Sequence, residues 1–107
     1  GGLATYLGLS PLLAGVAAYV RAHGRWSLRH QELSIDADPP RWLSGWQGDG
    51  ILARIESNRM VETIGALGIA TVDLRCWKNI DGVPRIDTDD KTVEEVTSTA
   101  CELVRGS

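Results

Sequence analysis

Residues 46–75 read WQGDGILARIESNRMVETIGALGIATVDLR, and the fold is decided there. Gly50-Ile51-Leu52-Ala53-Arg54-Ile55 is a nearly continuous apolar run rich in branched side chains, which fits a strand covered on both faces. Ser57 or Asn58 then caps a helix with Met60, Val61, Ile64 and Leu67 on one face, and Gly68 ends it. A second apolar run, Ile69 to Leu74, follows at once. Strand, helix and strand with turns this short form a βαβ crossover, so the two strands should lie parallel. Open parallel sheets collect ligands beyond the carboxyl ends of their strands. Arg54-Ile55-Glu56 and Asp73-Leu74-Arg75 therefore sit on the edge where function is expected.

Outward from this unit, Ser10-Pro11 is an N-cap followed by proline at the first helical position. Leu12, Leu13, Val16, Tyr19, Val20 and His23 recur at helical spacing, and Gly24 supplies a left-handed stop. Before it, Leu3 to Leu7 reads as a short strand blurred by flanking glycines. Trp26 to Leu33 alternates, with Trp26, Leu28 and His30 on one face, which predicts an edge strand with one wetter side. Asp38-Pro39-Pro40 opens a short helix with Trp42, Leu43 and Trp46 inward, closed near Gly48. Val83 to Ile86 is a short extended piece whose proline places it at the periphery. Thr88 or Asp89 caps a last helix bearing Val93, Val96, Ala100, Leu103 and Val104 on one face, ending at Gly106. The expected architecture is α/β: a three-layer α/β/α open, mainly parallel sheet in the doubly wound order 2-1-3-4-5.

With 107 residues, 43% hydrophobic and 23% charged, the chain suffices for one domain, taken as residues 1–107. A formal net charge of -3 and a pI near 5.2 argue against a nucleic-acid surface in this segment. No apolar stretch is long enough to span a membrane. Cys76 and Cys101 lack metal-ligand spacing and suit two buried thiols in a reducing cytosol, with a disulfide between them as the alternative.

Chemistry-bearing motifs are sparse. Gly45, Gly48 and Gly50 precede a strand, whereas a phosphate-binding fingerprint lies between a strand and the helix after it. Asp49 also precedes a strand, the wrong place for a phospho-acceptor, and there is no serine elbow. His23 and His30 read as structural histidines. No catalytic or metal constellation emerges, so no enzyme and no cofactor are expected. Arg54, Glu56, Asp73, Arg75 and Trp77 differ, because all fall at or just after the ends of two adjacent strands. Charged planar groups paired to hydroxyls, with an aromatic ring against the apolar face, are how proteins hold sugars. Arg75 or Asp73 with Trp77 could supply that chemistry.

Four blocks carry a family resemblance: Leu12 to Tyr19 with His23 to Leu28, Trp46 to Arg54, Gly68 to Asp73, and Val83 to Lys91. In this order and spacing they resemble the sensor domain of xylose-operon regulatory proteins. The resemblance implies the amino-terminal lobe of a type I periplasmic-binding-protein-like and lactose-repressor-like sugar sensor in an AraC-type transcription regulator. It implies a pentose partner, D-xylose, held between two lobes, DNA contacted only by a separate helix-turn-helix domain, a homodimer and a cytoplasmic setting. Sugar contacts would come from the ends of the first, third and fourth strands, hence Thr5 or Tyr6, Arg54 or Glu56, and Asp73 or Arg75. The family's first strand is expected to be cut short here or replaced by Gly1 to Leu7. A solute-binding protein of a transporter, which shares the fold, is the alternative reading.

Overall fold

The computed structural model describes residues 1–7, 11–24, 26–32, 39–75, 80–89 and 91–106. Its elements are β1 (Gly2–Leu7), α1 (Pro11–His23), β2 (Ser27–Glu32), a 3-10 helix (Arg41–Gly45), β3 (Gly50–Ala53), α2 (Asn58–Leu67), β4 (Thr71–Asp73) and α3 (Val93–Arg105). All four strands are parallel, in the order β2-β1-β3-β4. Residues 83–86 make a rudimentary fifth position beside β4. Asp73 N donates to Pro84 O at 2.9 Å, Ile86 N donates to Asp73 O at 2.9 Å, and the pairing stops at that single bridge.

The central βαβ unit forms as its residues dictate. All four residues of β3 are buried. Ser57, in extended backbone, accepts from Met60 N to cap α2, and Gly68 closes it at φ 64°, where a side chain would be strained. Gly50 is required for another reason: a Cβ there would run into the Val104 side chain of α3.

The sheet sorts its side chains by parity, since alternate residues of a strand face opposite sides. Leu3, Leu7, Leu52 and Val72 pack under α1 and α3 with Val16, Val20, Val96, Ala100 and Val104. Ala4, Tyr6, Ile51 and Ala53 pack under α2 and the 3-10 helix with Leu43, Met60 and Ile64. Helices therefore cover both faces.

Four expectations change. The first strand is not stunted: Gly2 to Leu7 form it, and β1 spans six residues, pairs with β2 along its length and with β3 from Leu3 to Tyr6, and lies inside the sheet. Gly2 is a packing residue, a Cβ there lying 3.2 Å from the Trp46 ring. The cap of α3 is Thr92, with a complete Thr92–Glu95 capping box, and not Thr88 or Asp89. The helix after Pro40 is one 3-10 turn ending at Gly45, so Trp46 lies beyond it and meets Trp42 edge-on, ring centroids 6.2 Å apart. His23 leaves the apolar stripe of α1: it is exposed and stacks on Tyr19, ring centroids 3.9 Å apart. The Ser10 cap lies outside the described residues.

Candidate functional site

Parallel pairing brings the ends of β1, β3 and β4 to one edge. Arg54 follows β3 and is tied to β1 by its backbone N, which donates to Tyr6 O at 3.1 Å. Leu74 N donates to Ala53 O at 2.8 Å, holding the segment after β4 against β3 in the same way. On this frame the Glu56 carboxylate lies between two guanidiniums, 3.2 Å from Arg75 Nε and 3.9 Å from Arg54 Nη2. One carboxylate thus serves two cations, and all three side chains are partly open, with 33% to 48% of their surface exposed. Each keeps donors or acceptors for something else.

Asp73 and Tyr6, from the same candidate set, are placed differently. Asp73 is 1% exposed. Its Oδ1 accepts from Arg75 N at 2.9 Å and from Ile55 N at 3.4 Å. It fastens the ends of β3 and β4 to each other, and so positions Arg75. Tyr6 is 4% exposed on the α2 face, and its buried hydroxyl has no hydrogen-bond partner among the described residues. Thr5, its alternative, is buried on the other face, its Oγ1 2.9 Å from His30 Nδ1. Trp77 lies outside the described residues, as does Cys76.

Beside Arg54, on the α1 and α3 face, opens a cleft of about 280 Å³. Leu7, Leu12, Leu74, Val93 and Val96 give it apolar walls, and Thr88 and Lys91 close it from the loop before α3. Such a volume is at the small end of small-molecule sites, which run from about 300 to 1,000 Å³. Thr88 and Lys91 are functional candidates that the sequence alone did not single out, because Thr88 read as a helix cap. A larger hollow of about 660 Å³ lies at the opposite edge, around Gly48, Asp49, Gly68 and Thr71, before β3 and β4. It is remote from the Arg54–Glu56–Arg75 cluster, so the chemistry favours the smaller cleft.

Other reactive groups are accounted for locally. Cys101 is a free thiol buried in the α1 and α3 core. Burial, aided by the Glu102 carboxylate, pushes it up to about 11, so it is protonated and unreactive at neutral pH. On the exposed side of those helices Tyr19 donates to Glu102 Oε1 at 2.7 Å and accepts from Arg105 Nη1 at 3.0 Å. Among the described residues no three His, Cys, Asp or Glu side chains gather as a metal site. No described helix is long and apolar enough to cross a membrane.

No family model matches the chain, and neither a curated protein nor a solved structure matches it.

Proposed function

We propose that this chain is the amino-terminal lobe of a sugar sensor in a sugar-responsive transcription regulator. A pentose is held between this lobe and a second one, and D-xylose is the sugar that the sequence resemblance implies. DNA is bound by a separate helix-turn-helix domain of the full-length, homodimeric, cytoplasmic protein, and the lobe itself catalyses nothing. Ligand acts by population shift: it binds the closed arrangement of the lobes more tightly than the open one, and the closed state alters the dimer.

The observation that carries this reading is the convergence of Arg54, Glu56 and Arg75 at the carboxyl edge of two adjacent parallel strands, beside an apolar-walled cleft. Forked guanidiniums and a carboxylate present the paired donors and acceptors that vicinal hydroxyls need. Apolar walls suit the C–H face of a small sugar.

Calorimetric titration of the intact protein with D-xylose tests it, repeated with Arg75→Ala. Arg75 is half-exposed, so its removal costs the fold less than about 1 kcal/mol. The variant should bind about tenfold more weakly, equivalent to about 1.4 kcal/mol. Unchanged affinity would remove Arg75 from the site. A tandem helix-turn-helix segment elsewhere in the same polypeptide would distinguish a regulator from the solute-binding protein of a transporter.

A further inference from the structure

The cleft beside Arg54 is unbalanced in charge. Among the described residues that line it are two cations, Arg54 and Lys91, and no carboxylate. Among the described residues Arg54 has only a long contact, 3.9 Å, to a Glu56 carboxylate that Arg75 holds at 3.2 Å. Lys91 has no ion pair among the described residues, and Glu95, four residues on, is engaged with Thr92 in the capping box. The nearby described carboxylates lie outside the lining: Asp73 is buried against backbone N–H groups, Asp87 accepts from Asp89 N at 3.0 Å in an exposed turn, Asp89 is itself exposed, and Glu94 and Glu95 border a separate shallow hollow on the other side of Lys91. Pro11 and Val93, which open two helices of 13 residues each, also line the cleft, so both helices direct their positive ends toward it.

Among the described residues that line the cleft, Arg54 and Lys91 leave an excess of two positive charges. In the open lobe, water solvates them. When a second lobe closes over the edge that water is lost, and an uncompensated cation in an apolar-walled space is costly. A neutral sugar offers hydroxyls but no counter-charge. A sugar bearing an anionic group offers both, and charge-assisted hydrogen bonds are about twice as strong as neutral ones.

We infer that the ligand of this cleft is an acidic sugar derivative, a pentose-sized polyol with a carboxylate or phosphate, whose anionic group is held between Arg54 and Lys91. The inference rests on the sugar-sensor reading and refines its ligand class.

The test is calorimetric titration of the intact protein with D-xylose, D-xylonate and D-xylose 5-phosphate. One or both acids should bind at least about tenfold more tightly than D-xylose, and the tighter of the two identifies the anionic group. Lys91→Met keeps the length of the side chain and removes its charge. At an exposed position just before a helix it should leave the fold intact. It should cut the ratio of acid affinity to D-xylose affinity by at least about tenfold. If D-xylose binds as tightly as either acid, or if Lys91→Met weakens all three ligands equally, the charge inference is overturned while the sugar reading stands. If none of the three binds, both fail.

Discussion

Asp73 shows how one side chain near the site works without being part of its open surface. The sequence grouped it with Arg54, Glu56 and Arg75, because all lie at strand ends. Its burial separates it: Asp73 turns inward to accept from Ile55 N and Arg75 N, whereas the others remain partly open to solvent. An Asp73→Ala substitution strands those two donors, and a buried donor without a partner costs about 1–3 kcal/mol. The expected outcome is a loss of about 2 kcal/mol in urea unfolding, mostly from the shorter bond to Arg75 N. Binding should weaken as well, since Arg75 loses its backbone anchor. A stability change below about 0.5 kcal/mol would mean that water replaces the carboxylate without cost. Strand-end placement was legible in residues 50–56 and 69–75. Which side chains face the edge was not, because that depends on how far each strand runs before the chain turns.

At the scale of elements, α2 and α3 each had more than one cap candidate. α2 had Ser57 or Asn58 before its first apolar position, and Ser57 takes the cap. Ahead of α3 the sequence points to Thr88 or Asp89, and the cap is Thr92, three or four residues further on. Thr92 wins because Glu95 completes the capping box and because the register lays Val96, Ala100 and Val104 onto the sheet. Thr92→Ala should cost about 1 kcal/mol, within the 0.5–2 kcal/mol range for lost caps. Thr88→Ala should stay within about 0.5 kcal/mol, as at most surface sites. Thermal unfolding of the two variants side by side checks this; equal losses would place the helix start four residues earlier. β1 was the harder element. Five residues, Leu3 to Leu7, between glycines carry too little periodicity to distinguish a central strand from a loop.

For the whole molecule, strand order sets a hierarchy of stability. β1 and β3 each have a hydrogen-bonded neighbour on both sides and a packed layer on both faces. β2 is an edge strand with Ser27, Arg29 and Glu32 exposed. Native-state hydrogen exchange should therefore be slowest at the amides of β1 and β3, and at least about tenfold faster across β2, which opens without breaking the core. Equal protection of β2 would mean that something else covers this edge in the intact protein. The same order assembles the candidate site, since a parallel sheet sends the ends of β1, β3 and β4 to one side.

Local rules determined much of this protein: two parallel strands joined by a helix, the left-handed stop at Gly68, and an alternating edge strand at Ser27–Glu32. These are readable because apolar period and cap chemistry act within a few residues. Only the tertiary structure decided that Leu3 to Leu7 is the sheet's centre, that Asp73 is an internal fastener, and that Lys91 shares a cleft with Arg54. Those outcomes turn on contacts between segments tens of residues apart, whose energies no short window of sequence contains.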